Sequence, residues 1–194
     1  NPAHYCGVYG HKPSFGIIPA GHMLPGTYTP ADIAVSGPLA RSAEDLEMAL
    51  DVLAGSAGLD AAGWRLDLPG PRKTSLSDFK VAVMLTSPCC AQDDELTDQL
   101  QKTIDALAQA GVQVDDSARP ALDLARAHHV YLMLLRAATG VELDDATYEA
   151  HVTRMAQRDD DDWGYHAYVD RAVTQDHRAW WQYHNEREKM RLIW

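Results

Sequence analysis

The sequence predicts an α/β fold, and three observations lead to that prediction. Residues 79–86, FKVAVMLT, form a compact apolar run with the length and composition of a buried strand. The segment that follows carries apolar residues three or four positions apart and ends at Gly111, as an amphipathic helix does. Val112 and Val114 then begin a second strand. Strand, helix and strand in succession make a βαβ crossover, which is right-handed and pairs its strands in parallel.

The segment before this unit predicts loops, two short strands and one helix. The chain up to about Pro38 is rich in Gly and Pro, and its short apolar runs at residues 7–10 and 15–19 are typical of strands between turns. Ser42 then opens an S-x-x-D capping pattern, and Gly55 stops the helix that follows. The apolar face of that helix consists of Leu46, Ala49, Leu50 and Leu53.

The helix of the βαβ unit has the clearest local pattern. Asp93 or Asp94 can cap its start, because a short acidic side chain accepts hydrogen bonds from the first free N–H groups. Its apolar positions are Leu96, Leu100, Ile104 and Leu107. We expect these four side chains to be buried against the sheet.

A helical region follows the βαβ unit. Pro120 is expected to be the first residue of a helix that runs towards Gly140. The face of this helix that we expect to be buried contains Leu122, Ala125, His129, Leu132 and Leu135. Beyond Gly140 the chain is polar and aromatic, with four consecutive aspartates at residues 159–162 in a loop, and a last helix from about Thr174.

Composition limits the classes of function. The chain has 194 residues, of which 46% are hydrophobic, and this is enough for a globular core. No run of about 18 apolar residues suggests a membrane helix, and no signal peptide is visible. The net charge is −11, without a Lys/Arg stripe, which argues against nucleic-acid binding. Three cysteines, two of them adjacent, make no disulfide framework, so we expect a reducing cytoplasm.

Two blocks near the start carry a family resemblance. Residues 1–16, NPAHYCGVYGHKPSFG, resemble the stretch x-P-A-x-x-C-G-V-x-G-x-K-P-[ST]-x-G that follows the signature of the amidase-signature family. Asp32 and residues 37–45, GPLARSAED, resemble the later block D…G-P-[ML]-[AT]-R-[ST]-x-x-D of the same family. Order and spacing agree as well. Weaker similarity, in residues 67–83 and in the Trp/His/Arg-rich end, extends over the whole chain.

The resemblance implies a mixed-sheet fold with covering helices, and amide hydrolysis by a serine nucleophile, a cis-peptide serine and a lysine base. In the family these groups and the oxyanion loop lie before the junction at which Asn1 stands. We therefore expect residues 1–194 to form a partial amidase-signature domain that looks like an internal fragment and has no catalytic residue of its own. Its parts would be the family block 1–55, the βαβ unit 79–115 and the helical region 120–194. The resemblance implies no metal and no organic cofactor.

No local residue replaces the missing catalytic groups. Lys12 is expected to be structural or on the surface, and Ser14 and Ser36 to be turn hydroxyls, because no base, nucleophile elbow or oxyanion loop accompanies them. The histidines lack metal-binding spacing, and the three cysteines read as inert thiols. The aspartates at 159–162 are expected to form a solvated, self-repelling loop, because they lack the spacing of a calcium loop.

Two residues are predicted to border a substrate pocket. Tyr131 on the helix after Pro120 and Arg171 before the last helix have polar reach beside apolar faces. Arg171 has an alternative role, pairing with the acidic loop at residues 159–162.

Three functions remain open from the sequence. The first is a portion of an amidase that acts on small carboxamides. The second is the A subunit of a glutamyl-tRNA amidotransferase, which releases ammonia from glutamine for a partner protein. The third is a non-enzymatic interaction module derived from an amidase. In each case we expect the chain to associate with itself or with the rest of its parent protein, and to have no direct contact with nucleic acid or membrane.

Overall fold

The computed structural model describes residues 1–19, 29–30 and 32–194. Residues 20–28 and 31, which belong to the Gly/Pro-rich stretch, lie outside the described residues. The chain divides into two compact units, Asn1–Pro69 and Gly70–Trp194.

The first unit contains two α-helices and one short antiparallel strand pair among its described residues. In chain order they are α1 (Pro2–Cys6), β1 (Tyr9–Gly10), β2 (Leu39–Ala40) and α2 (Ala43–Leu53). The predicted strand at residues 15–19 is wrong, because this segment turns. The N–H of Ile17 donates to the carbonyl of Ser14 at 3.3 Å, and Gly16 has a φ of 85°, which a side chain would disfavour.

Close backbone contacts hold the two motif blocks of this unit together. The N–H of His11 donates to the carbonyl of Pro38 at 3.1 Å. A Cβ at Gly37 would overlap the carbonyl oxygen of His11 and lie 2.9 Å from the Cδ of Pro13, so only glycine fits. The predicted cap of α2 is confirmed, since the Oγ of Ser42 accepts from the N–H of Asp45 at 3.1 Å.

The second unit begins with the βαβ arrangement. β3 (Lys80–Ala82) and β4 (Gln113–Asp115) pair in parallel, with Val81 opposite Val114, and α3 (Asp94–Gln109) connects them. Asp93 caps α3, because its Oδ1 accepts from the N–H groups of Glu95 and Leu96 at 2.9 and 3.3 Å. The α/β class predicted from this segment is present in the structure.

The predicted burial of α3 is wrong. Leu96 and Leu100 are 42% and 37% exposed, and Ile104 and Leu107 are only half-buried. β3 is also shorter than the strand predicted over residues 79–86, and Val83 is the one buried residue in that range. The reason is size. Strands of three residues span about 10 Å, whereas a helix of 16 residues is about 24 Å long, so this strand pair cannot cover the helix.

Four helices complete the second unit and hold its core. They are α4 (Leu124–Gly140), α5 (Asp145–Met155), α6 (Tyr165–Thr174) and α7 (His177–Ile193). α4 packs against α6 and α7, and α5 packs against α6. The buried apolar side chains of this bundle are Val130, Met133, Leu134, Ala167 and Ala172.

Two expectations for this region need correction. α4 begins at Leu124 and not at Pro120, because the Oδ1 of Asp123 caps it by accepting from two N–H groups of the first turn. Its buried face contains Val130, Met133 and Leu134, whereas the predicted Leu132 and Leu135 are half-buried. The helical region predicted over residues 120–194 contains α4, α5, α6 and α7. Within the described part of the chain, no helix is long and apolar enough to cross a membrane.

Candidate functional site

The two predicted substrate-contact residues lie on different helices and touch different neighbours. Tyr131, on α4, is 49% exposed, and its ring lies 6.4 Å from that of His128. About half of this residue is therefore open to solvent.

Arg171, on α6, is engaged with the acidic loop. Its guanidinium donates to the carbonyl oxygens of Asp159, Asp160 and Asp162 at 2.8, 3.0 and 3.3 Å. It also lies over the ring of Trp163, 4.5 Å from the centroid. Arg171 thus binds the backbone carbonyl groups of the loop and not the carboxylates of its aspartates. The side chains of the aspartates at residues 159–161 are exposed, as expected of a solvated loop, and Arg171 holds the backbone of that loop.

A histidine that links three helices lies in the same bundle. The Nδ1 of His129 on α4 is 3.0 Å from the hydroxyl of Tyr168 on α6, and its Nε2 is 3.2 Å from the hydroxyl of Tyr183 on α7. Trp163 packs edge-on at a centroid distance of 4.8 Å. Near His129, Arg126 on α4 makes a bidentate ion pair with Glu186 on α7, and both N–O distances are 2.7 Å. His129 was predicted only as part of an apolar face.

The surroundings keep this histidine neutral. Burial lowers the pKa of His129, and the charge of Arg126 lowers it further, against the opposing effect of Glu186. Burial also raises the pKa of Tyr168. A neutral imidazole has one donor and one acceptor nitrogen, so one tyrosine hydroxyl donates to it and the other accepts from it. Both ring nitrogens are used, which suits His129 to joining helices rather than to accepting a proton from a nucleophile.

A second polar cluster is centred on Asp170, whose side chain is 2% exposed. Its Oδ1 lies 2.6 Å from the Nδ1 of His151 and 3.1 Å from the Nε of Arg154. Its Oδ2 accepts from the Nε and Nη2 of Arg158 at 2.8 and 2.6 Å. Arg158 also reaches Asp162 at 2.6 Å. We call Asp170, His151, Arg154 and Arg158 the Asp170 cluster, and it joins α5 and the segment after it to α6.

The cluster is charged in the folded protein. Burial by itself would raise the pKa of Asp170, but hydrogen bonds from His151, Arg158 and Arg154 outweigh it and hold the pKa below its ordinary value. Sequence reasoning missed this cluster. The usable signal was the spacing of His151, Arg154 and Arg158, which places three basic side chains on one face of a helix and its continuation.

Neither cluster resembles a metal centre or a nucleophile site. Across residues 1–19, 29–30 and 32–194, no group of three His, Cys, Asp or Glu side chains is arranged to hold a metal ion. Cys6 and Cys90 are exposed free thiols, and Cys89 is a half-buried one. Lys12 is exposed.

Curated relatives match part of the chain. The A subunit of the glutamyl-tRNA(Gln) amidotransferase from Methanococcus maripaludis is 28% identical over 129 residues, which is 64% of this chain and 28% of that protein. The protein of the same name from Sulfolobus acidocaldarius is 32% identical over 119 residues, covering 59% of this chain and 24% of its own length. The chain therefore spans about a quarter of the length of the relatives it matches.

A family model named Amidase matches residues 1–191, almost the whole chain. The match includes both motif blocks of the first unit and, in the second, the helices α3 to α6 and most of α7. This chain belongs to the amidase family.

Proposed function

We propose that this chain is one portion of an enzyme that hydrolyses carboxamide bonds, and that a segment preceding Asn1 supplies the serine nucleophile. The observation that carries the proposal is the family match over residues 1–191, together with the small share of the relatives' length that the chain spans. A lysine base must be buried to be neutral at physiological pH, and Lys12 is exposed.

The hydroxyls of several serines already have structural roles, which supports a nucleophile outside the chain. Ser42 caps α2, and Ser56 donates to the carbonyl of Trp64 at 2.8 Å. The hydroxyls of Ser75 and Ser77 bond to each other at 2.9 Å. None of these three contacts is the serine–base pair that amide hydrolysis requires.

For substrate contact we propose two different roles. Tyr131 would touch the substrate directly, because about half of the residue is open to solvent. Arg171 would act by positioning, because its guanidinium already holds the loop at residues 159–162 and the ring of Trp163.

The second candidate is an amidotransferase A subunit that releases ammonia from glutamine. Its support is that the matched relatives from Methanococcus maripaludis and Sulfolobus acidocaldarius carry the name of such a protein. The third candidate, a non-enzymatic module, requires that no serine signature precede Asn1 in the parent protein.

The test compares two proteins, the 194-residue chain and the longer product that includes the coding sequence before Asn1. Each is assayed with an anilide, a simple carboxamide and glutamine, and each is treated with a fluorophosphonate that labels activated serines. We expect turnover and labelling only in the longer protein. Ammonia release from glutamine alone would favour the amidotransferase reading. Turnover by the 194-residue chain that disappears when one of its own serines is replaced would contradict the proposal.

We also propose that the chain associates with a second copy or with the rest of its parent. Leu96 and Leu100 on α3, and Phe79 and Met84 around β3, are exposed apolar side chains in the second unit. Light scattering of the purified chain tests this, because a monomer at all concentrations would contradict it. A reducing cytoplasm is the proposed compartment, since the three cysteines are free thiols, and cell fractionation would check it.

A further inference from the structure

Two adjacent cysteines lie in a tight turn between β3 and α3. The N–H of Cys90 donates to the carbonyl of Ser87 at 3.4 Å, and the Oγ of Ser87 accepts from the N–H of Cys89 at 3.2 Å. Cys89 is half-buried, Cys90 is exposed, and both are free thiols. The turn follows β3 at the carboxyl end of the parallel strand pair, the edge at which α/β proteins usually bind ligands. One turn therefore holds two thiols, of which one is open to solvent and the other partly so.

Hydrogen bonds anchor the segment that carries this pair of thiols. The Nε2 of Gln92 donates to the carbonyl of Leu85 and to the Oγ1 of Thr97, both at 2.8 Å. These contacts tie the two ends of the segment at residues 85–92 to each other and to α3. A ligand that bridges the two thiols would therefore order little additional chain, which keeps the entropic cost of binding low.

A disulfide between neighbouring cysteines would be strained. The peptide bond between Cys89 and Cys90 is trans, so their Cα atoms lie about 3.8 Å apart, whereas disulfides usually join Cα atoms about 4.4–6.8 Å apart. Because a strained disulfide is easily reduced, the pair persists as two thiols under reducing conditions. A single soft atom bonded to both sulfurs removes this constraint, because bonds of about 2.3 Å allow the sulfurs to lie roughly 3.3–3.8 Å apart.

The number of ligands decides which soft centre the pair can hold. Structural zinc takes four ligands, and within the described ranges no group of three His, Cys, Asp or Glu side chains is placed to bind a metal ion. Trivalent arsenic that carries one organic substituent needs only two further bonds, and thiolates are the ligands that soft centres prefer. Cys89 and Cys90 can supply both bonds.

We propose that Cys89 and Cys90 form a vicinal dithiol site that binds monosubstituted trivalent arsenicals. In the reaction with phenylarsine oxide, the two thiol protons leave with the arsenic-bound oxygen as water, and two As–S bonds replace the arsenic–oxygen double bond. Arsenic stays trivalent, so the step needs no oxidant and no reductant. Cys6 has no neighbouring cysteine in the sequence and offers a single bond. The site goes beyond the proposed amide hydrolysis and does not depend on it.

The experiment measures the binding of phenylarsine oxide to the 194-residue chain by mass spectrometry and by the loss of free thiols. The native chain should gain one phenylarsenic group and lose two thiols, and 2,3-dimercaptopropanol, but not the monothiol 2-mercaptoethanol, should release the arsenical. The test variant Cys90→Ser should bind at least about a hundredfold more weakly, because the second bond of a bidentate contact forms at a high effective concentration. The control variant Cys6→Ser leaves both bonds in place and should keep the native affinity within about twofold.

Three results would overturn the proposal. They are equal weakening in Cys6→Ser and Cys90→Ser, release of the arsenical by the monothiol, and the loss of fewer than two thiols in the native chain. If circular dichroism shows that Cys90→Ser is unfolded, Cys89→Ser replaces it with the same expected weakening. The thiol count of the native chain tests the bridging of two sulfurs without any substitution.

Discussion

Replacing Asp170 with asparagine should destabilise the helical bundle strongly. The substitution keeps the shape of the side chain but removes the charge that His151, Arg154 and Arg158 share. Breaking one side of a buried ion pair costs about 3–5 kcal/mol. Arg154 is 48% exposed, so water screens its charge, whereas Arg158 is 18% exposed and keeps only the more exposed Asp162 as a partner. His151, which is 11% exposed, loses a charged hydrogen-bond acceptor. We therefore expect a loss of about 3 kcal/mol, the lower end of that range.

Urea unfolding followed by circular dichroism measures this loss. The matched control is Asp162→Asn, which removes a carboxylate that is 39% exposed and pairs with the same Arg158. That variant should lose less than about 1 kcal/mol, as exposed pairs do. If Asp170→Asn lost no more stability than the control, the buried cluster would not be holding α5 to α6.

The same variant makes a pH test. The folded-state pKa of Asp170 lies below its ordinary value of 3.8, so its stabilisation is complete above that pH and is lost as the pH falls through the folded value. The difference in unfolding free energy between the native protein and Asp170→Asn should therefore shrink below about pH 4. A constant difference down to acid unfolding would contradict the assigned charge.

Three further outcomes are expected. The pKa of His129 in the folded protein lies below 6.5, so the unfolded chain takes up that proton at a higher pH. The unfolding free energy of the native protein therefore falls between about pH 7 and 5, and in His129→Gln this fall should be smaller. In urea, Leu134→Ala should cost about 2–5 kcal/mol, as burial of the whole side chain implies, whereas Leu100→Ala at 37% exposure should cost about 1 kcal/mol. Gly140→Ala should lower the thermal midpoint, with a cost of about 1–3 kcal/mol, because its Cβ would lie 2.8 Å from the Cγ2 of Val173.

Local signals in the sequence were sufficient for several elements. The caps at Ser42 and Asp93 were readable because a cap is a contact between residues three apart or fewer, which the sequence contains in full. The parallel pairing of β3 and β4 was readable from the alternation of strand and helix. Burial was harder to predict. An apolar face such as that of Leu96 and Leu100 shows what a helix could bury, but not whether an element large enough to cover it is present.

The polar clusters could not be predicted for a different reason. Apolar periodicity identifies helices that bury hydrocarbon, whereas α5 directs His151 and Arg154 towards a buried carboxylate. The partner of these residues, Asp170, is an ordinary polar residue in the sequence, and only the packing of α6 makes it buried. His129 is similar, because its two tyrosine partners lie 39 and 54 residues further along the chain.

The sequence separations within the bundle imply an order of folding. Asp170 lies 12 residues after Arg158 and 19 after His151, so the chain that must close to form these contacts is short. The hydrogen bond between His129 and Tyr183 closes a chain of 54 residues. Since loop-closure entropy rises with length, contacts between near neighbours in the sequence form at the smaller entropic cost. We therefore expect the α5–α6 hairpin to form before α4 and α7 dock on it. In stopped-flow refolding, substitutions within the hairpin should slow folding, whereas substitutions at His129 should mainly speed unfolding.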